Sequence, residues 1–303
     1  MTSFEQSARD HAASRGSPAT REAYLRDLEK WLAHCAAASA DPSRPKLADA
    51  TAFRDALRAR SAPLTVRRVL SSLSAAYGRA LAQEVPSASW NPFHPRVLDR
   101  PPENLYAKTE AVADPVACRV LAAADADDSP IGRRDAAVLH LLRGTGLRRM
   151  SVARLPRDGV LEVPGGGMVL RTISKGGKET RKPLAAEDAK ALRRHLAAAS
   201  NSAWVFPSKR NPGLPIDETT VNRIVRVRAV LADCPHVHPH QFRSAFATDA
   251  LDVLPLNDVQ AFLDHKDPRT TQRYDRGRRG EGVVEAVAAA RRKGKGKRKG
   301  GAR

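Results

Sequence analysis

The sequence is poor in the residues that mark several common classes of protein. Its 303 residues include three cysteines, which are odd in number and far apart, so no disulfide framework is indicated. Aromatic residues make up only 5% of the chain, so its cores must depend on Leu, Val and Ala, which suits helices. The sequence contains no apolar run of membrane-spanning length, no signal-peptide core and no GxxxxGK[ST] phosphate loop. We therefore expect a soluble intracellular protein that uses no nucleotide.

Positive charge is abundant. The chain has 52 Lys and Arg against 33 Asp and Glu, a formal net charge of +19. Eight of these positive charges lie in residues 291–303, a glycine-interrupted basic tail that we expect to be disordered. The remainder of the chain is still strongly basic, which favours a polyanionic partner such as nucleic acid. Charge alone does not exclude a basic protein that is merely soluble.

Apolar periodicity divides the chain into two mainly helical domains. Helical spacing over residues 20–35, a short helix around Phe53 and a third helix after Pro63 predict an N-terminal helical domain over residues 1–100. The stretch 84–106 is rich in proline and lacks periodicity, which is typical of a linker. We place the boundary between the two domains in a linker over residues 101–113. A second domain is expected over residues 114–290.

The second domain combines helices with a small sheet. Helices are predicted from Asp114, over residues 136–142, 185–199 and 217–232, and from His240. Between them, GVLEVP, MVLRTIS and ETRKPL alternate like strands around the glycine turns GGG and KGGK. This pattern predicts three antiparallel strands. The expected fold class is therefore mainly α, with a small antiparallel β-sheet in the C-terminal domain.

Six polar side chains in this domain form a set with a common chemistry: Arg148, Lys175, His240, Arg243, His265 and Tyr274. A phenol is a poor nucleophile near neutral pH, because its pKa is about 10. Attack on a phosphodiester needs a proton acceptor for the phenol and guanidinium groups for the charged phosphate oxygens. It also needs a proton donor for the leaving oxygen, a role open to a lysine at a hairpin tip. The set supplies each of these groups.

The order of these residues resembles the tyrosine recombinases, the phage integrase family of site-specific DNA recombinases. Thr145-Gly146-Leu147-Arg148 matches the family's first box, with Leu155 and Asp158 downstream, and Lys175 matches its hairpin lysine. His240-Gln241-Phe242-Arg243 matches the second box, and Leu263-Asp264-His265, Thr270-Thr271 and Tyr274 match the third. SPATREAYLRDL and LTVRRVLSSLSAAYGRAL resemble the family's helical core-binding (SAM-like) domain. The resemblance extends over about residues 17–290.

The resemblance implies a complete catalytic scheme. Tyr274 attacks a scissile phosphate in double-stranded DNA with paired half-sites, forms a 3′-phosphotyrosyl link and frees a 5′-hydroxyl. Arg148 and Arg243 stabilise the transition state, Lys175 protonates the leaving oxygen, and His240 and His265 hold phosphate or accept the phenolic proton. Four protomers exchange strands through a Holliday junction without a cofactor, and a bacterial cytoplasmic, nucleoid-associated location is implied.

Three positions depart from the family pattern. Ser151 stands where an acidic residue is common, Ser244 where a second histidine is usual, and Asp264 where glycine usually precedes the third-box histidine. Ser151 leaves open how Arg148 is oriented. The Asp264 carboxylate either raises the pKa of His265 or points into solvent, and the sequence leaves both alternatives open.

Three alternative interpretations of the sequence also remain. Cys234, His236, His238 and His240 alternate in a way that suggests zinc, but Pro235 and Pro239 oppose a regular strand there and no remote ligand pair is evident. A type IB topoisomerase uses similar phosphotyrosine chemistry as a monomer. A basic DNA-binding protein with a decayed site is the non-enzymatic alternative, against which the intact set of six residues argues.

Overall fold

A computed structural model describes residues 3–86, 88–102, 110–173, 179–198, 202–265, 267–272 and 274. The chain divides into two compact units, residues 1–104 and 105–303, and each unit has its own hydrophobic core. The prediction of a mainly helical fold with one small antiparallel sheet is confirmed. Within the described stretches, no helix has the length and apolar character needed to cross a membrane.

The first unit is helical. Its described helices are α1 Phe4–Ala13, α2 Pro18–Ala37, α3 Leu47–Arg58 and α4 Pro63–Ala82. Helices α2 to α4 were predicted, whereas α1 was not, because its buried apolar residues are Phe4 and small alanines. The core centres on Trp31, whose Nε1 donates to the Tyr77 hydroxyl over 2.8 Å. Tyr77 is therefore a packing residue of this unit.

The interpretation of residues 84–106 as a linker is wrong for residues 85–98. Val85, Phe93 and Leu98 are buried in the core of the first unit. Trp90 Nε1 also donates to the Pro45 carbonyl over 2.9 Å. Isolated apolar residues in a proline-rich stretch have no helical or strand period, so the sequence pattern gave no sign of this packing.

The second unit is built around one central helix. Its described helices are α5 Asp114–Asp125, α6 Pro130–Thr145, α7 Arg149–Ala153, α8 Ala186–Ala198, α9 Glu218–Leu231, α10 Pro239–Val253, α11 Leu256–Phe262 and α12 Pro268–Gln272. Helix α6 packs against α5, α8, α9 and α10, and its residues from Ala136 to Leu139 are all buried. The short helices α7, α11 and α12 were not predicted, since five to seven residues are too few to show a period.

The sheet of the second unit consists of β1 Val160–Val163, β2 Gly167–Ile173 and β3 Glu179–Pro183, in the order β1-β2-β3 and antiparallel throughout. Gly165 and Gly166 make the turn between β1 and β2 with φ values of 85° and 78°, which glycine adopts without strain. In β3, Lys182 lies opposite Leu170 and shares its buried face. The strand alternation thus directs a lysine inward.

Candidate active site

Arg148 is placed by a sharp turn at the C-terminal end of α6. Gly146 ends the helix in the left-handed conformation, with φ of 59°. A Cβ atom there would meet Phe246 Cδ1 at 2.8 Å and Leu263 Cδ2 at 3.0 Å, so the position needs glycine for both its conformation and its packing. The chain then turns into α7, and Arg148 at its N-terminus is exposed. The TGLR segment is thus a helix C-cap that presents an accessible arginine.

Arg243 occupies the centre of the site. It lies on α10, is 5% exposed, and donates from Nη1 to the carbonyl of Gly146. From Nη2 it donates to the Leu263 carbonyl over 2.7 Å and to Nε2 of His265 over 2.8 Å. These bonds fix the plane of the guanidinium group. Both carbonyls lie at helix C-terminal ends, of α6 and α11, where the helix dipole favours a cation.

A helix cap after α11 places His265. The Asp264 amide donates to the Ala261 carbonyl over 3.2 Å, and the His265 amide donates to the Gln260 carbonyl over 3.1 Å. This is the Schellman pattern, which requires a left-handed residue at the Asp264 position. Asp264 has φ of 54°. The geometry explains why glycine is usual here and why aspartate, which tolerates this region better than most residues, is accepted.

The bonding of His265 assigns its tautomer. A guanidinium group can only donate, so Nε2 of His265 must accept from Arg243. Nδ1 then carries the proton and donates to Thr271 Oγ1, 2.8 Å away. Burial, together with Arg243, Arg148, His240 and Lys182, lowers the pKa of His265 to about 3. The imidazole is therefore neutral at physiological pH, and its pKa is lowered rather than raised. The Asp264 carboxylate does not point into solvent either, since the side chain is only 13% exposed and its Oδ2 lies 3.3 Å from Lys182 Nζ.

Tyr274 is held against this group. Its side chain is only 5% exposed and packs with Ala247, Val259 and Leu263 in a small apolar cluster. Its ring lies parallel to the His265 ring, with centroids 6.0 Å apart and planes at 18°. The pKa of Arg243 is lowered to about 10 by burial and by Arg148, while Tyr274 and Asp264 act in the opposite direction.

Arg148, His240 and Arg243 open onto one cavity of about 720 Å³. The prediction that His240 and Arg243, three residues apart on α10, project toward the same region is thus met by the structure. Four other basic or titratable side chains line the cavity as well, Arg149, Arg226, His236 and His238, together with one carboxylate, Glu218, which pairs with Arg149 over 3.0 Å. Burial and then Arg243 lower the pKa of His240. The cavity is suited to an anion larger than a single phosphate.

Lys182 is a residue of this region that the sequence analysis missed. Its side chain is 2% exposed, and its Nζ donates to the Phe262 carbonyl and lies 3.3 Å from Asp264 Oδ2. Arg148 Nη2 donates to the Asp264 carbonyl over 3.3 Å. Three cations thus bind the consecutive carbonyls of residues 262, 263 and 264. A backbone carbonyl, rather than a carboxylate at position 151, orients Arg148.

Lys175 and the hairpin tip around it lie outside the described residues, so its predicted role stays a prediction. The structure does not support the zinc alternative: among the described residues, no three His, Cys, Asp or Glu side chains lie close enough together to hold a metal ion. Cys234 instead accepts a hydrogen bond from Arg119 over 2.9 Å. Ser244, at the other departure, donates to the His240 carbonyl over 3.0 Å.

Comparison with known proteins identifies the family. The sequence profile of the phage integrase family matches residues 116–279, more than half of the chain. The tyrosine recombinase XerC of Methylobacterium sp. (strain 4-46) is 34% identical over 86% of this chain and 83% of its own length. The chain therefore belongs to the phage integrase family and is a tyrosine recombinase, as the sequence motifs predicted.

Solved structures share the fold. A lambda integrase (residues 75–356) dimer bound to a COC′ core site matches with a TM-score of 0.70 and 17% identity, over 91% of this chain and 95% of that one. A lambda integrase tetramer bound to a Holliday junction matches with a TM-score of 0.67 and 17% identity, over 91% of this chain and 77% of that one.

Proposed function

We propose that this tyrosine recombinase is a site-specific DNA recombinase in which Tyr274 cleaves one strand of duplex DNA. The phenolic oxygen attacks the scissile phosphorus, the bond to the 5′ oxygen breaks, and a 3′-phosphotyrosyl link forms with release of a 5′-hydroxyl. The observation that carries this proposal is the position of Tyr274, whose ring stacks on His265, the histidine that accepts a hydrogen bond from the buried Arg243. A 5′-hydroxyl of a partner strand then attacks the link and rejoins the DNA.

Arg148 and Arg243 are the proposed ligands of the scissile phosphate. Both open onto the basic cavity, and both are oriented by carbonyl groups rather than by carboxylates. In the transition state, charge builds up on the non-bridging oxygens, and two guanidinium groups held in place stabilise that charge without reorganising. The nearby positive charge of Arg243 also favours the phenolate during attack.

Of the two histidines, His240 is the better candidate for accepting the phenolic proton. Nε2 of His265 already accepts from Arg243, and the low pKa of His265 opposes its protonation. His240 is exposed to the cavity, and its lowered pKa keeps it neutral and able to take a proton. We assign to His265 the orientation of Arg243 and of the tyrosine ring. Lys175 remains the proposed donor of the proton to the leaving 5′ oxygen.

The covalent link keeps the energy of the phosphodiester bond, so the scheme needs no nucleotide and no metal. We propose that four protomers pair two half-sites each and exchange strands through a Holliday junction. The lambda integrase tetramer on such a junction supports this assembly by its shared fold. The N-terminal unit would serve as the core-binding domain. The proposed substrate implies action at the bacterial nucleoid.

The test of this proposal is the variant Tyr274→Phe. It keeps the ring and the packing but removes the attacking oxygen, so half-site binding should persist while covalent protein–DNA adducts on a nicked suicide substrate disappear. Tyr24→Phe, which removes a phenol in the N-terminal unit, is the matched control and should form adducts normally. Persistent adducts with Tyr274→Phe would reject this nucleophile.

A second readout separates recombination from topoisomerase activity. A substrate with two matched sites should yield recombinant molecules and Holliday junctions. Relaxation of supercoils without recombinants would favour the monomeric type IB topoisomerase alternative.

A further inference from the structure

The Asp264 carboxylate is an unexpected group beside two phosphate-binding arginines. The left-handed backbone at this position is satisfied by glycine or asparagine, so the backbone conformation does not require a carboxylate. Arg148 already contacts this residue through its carbonyl, and the charge of Asp264 acts on the pKa of Arg243. A carboxylate and a phosphate bind guanidinium groups in the same bidentate way. A free Asp264 side chain would therefore compete with the scissile phosphate.

Lys182 holds the Asp264 carboxylate in its observed position. Its Nζ is 3.3 Å from Asp264 Oδ2, and the Asp264 side chain is only 13% exposed. The same ammonium group donates to the Phe262 carbonyl and lies 4.4 Å from the centre of the Phe262 ring. These contacts anchor the lysine from the side of β3, beneath the loop that joins α11 to His265. The carboxylate is thus bound from the protein interior.

The buried position of Lys182 also indicates that Lys182 and Asp264 depend on each other. A lysine that is 2% exposed, opposite Leu170 on the core face of a strand, is costly unless a counter-charge is present. Burial lowers the pKa of Lys182, the Asp264 carboxylate raises it, and the nearby Arg243 and Arg148 lower it further. The Lys182 ammonium group or the Asp264 carboxylate alone would be an unpaired charge in a buried position, whereas the pair has no net charge.

We infer that Lys182 is a positioning residue that holds the Asp264 carboxylate away from Arg148 and Arg243 and so leaves the remaining N–H groups of both guanidinium groups available to DNA phosphate. This inference rests on the proposed function of the two arginines. It assigns no proton transfer and no direct DNA contact to Lys182. Its consequence is specific: Lys182 is needed for cleavage only while residue 264 carries a negative charge.

The experiment compares Lys182→Met, Asp264→Asn and the double variant in the full chain, with Lys190→Met as a control that removes an exposed lysine of the same unit. The readouts are adduct formation on a suicide half-site substrate, half-site affinity and thermal unfolding. Lys182→Met should slow cleavage on the order of a hundredfold, because the freed carboxylate displaces the phosphate from its productive position. The double variant should cleave as fast as Asp264→Asn, and Lys190→Met should match the unmodified chain.

Cleavage by Lys182→Met at the rate of the unmodified chain would overturn the inference. A double variant much slower than Asp264→Asn would also overturn it, and this comparison holds even if Lys182→Met alone does not fold. If the double variant is much slower, a substrate with a 5′-thio leaving group, which needs no proton, distinguishes the cause. Restored cleavage of this substrate by the double variant would make Lys182 a proton donor instead. Absence of adducts with the unmodified chain would overturn the proposed function and this inference together.

Discussion

Arg243 donates to Nε2 of His265 over 2.8 Å, and this one bond constrains what both residues can do. It forces the imidazole proton onto Nδ1, toward Thr271, and it commits one edge of the planar guanidinium group to the protein. The other contacts of Arg243, to the ends of α6 and α11, complete its orientation. The arginine is thereby held in place before DNA arrives, which is the condition for electrostatic stabilisation of a transition state.

Thr271 should matter through this chain of bonds. Thr271→Val keeps the shape of the side chain but leaves the Nδ1–H group of a buried histidine without its acceptor, at a cost of about 1–3 kcal/mol in unfolding free energy. We expect cleavage of the suicide substrate to slow by about tenfold, because His265 and hence Arg243 shift. Thr270→Val is the neighbouring control and should retain the wild-type rate. Equal effects of the two substitutions would contradict the role of Thr271.

The state of His265 can be measured through the pH dependence of stability. Its ordinary pKa is about 6.5, and in the folded chain it is lowered to about 3. Between these values the unfolded chain binds more protons, so the neutral histidine stabilises the fold above pH 6.5, and this stability is lost as pH falls toward 3. Urea unfolding should show that His265→Gln weakens this loss of stability. If His265→Gln leaves the slope of unfolding free energy against pH unchanged over this range, then His265 is not buried as a neutral group.

The turn before Arg148 should tolerate no side chain. Gly146→Ala combines a left-handed backbone with contacts closer than 3.1 Å to Phe246 and Leu263, so we expect a loss of about 1–3 kcal/mol and slower cleavage. Gly78→Ala lies within α4 with open space around its Cβ, and it should instead raise stability by about 1 kcal/mol. Calorimetric unfolding measures both, and effects of the same sign would contradict this assignment.

The basic tail should act on phosphate charge alone. Residues 291–303 carry eight positive charges, and each phosphate neutralised steepens the plot of log affinity against log salt by about 0.9. Deletion of the tail should flatten this slope by several units at most, and it should weaken specific and non-specific binding alike. Affinity titrations from low to moderate salt provide the measurement. Identical slopes with and without the tail would show that it contacts no phosphate.

The sequence predicted the fold class and the order of the site residues because both depend on local patterns. Helical periodicity identified α2, α4 and α9. Motif spacing selected Arg243 and Tyr274, which lie on either side of His265 in the structure. Lys182 was missed because a lysine on the buried face of a strand makes sense only with its counter-charge, and Asp264 is remote in the chain. The Schellman cap before His265 was also not predicted, because the seven residues of α11 give too little periodicity to define a helix end.

The central claim is that Tyr274 forms the covalent link to DNA. The most direct measurement is peptide mapping by mass spectrometry of the adduct trapped on a suicide half-site substrate. We expect a nucleotide attached through a 3′-phosphate to the peptide that contains Tyr274, and to no other tyrosine of the chain. Attachment to Tyr24, Tyr77 or Tyr106, or to a serine, would contradict the account.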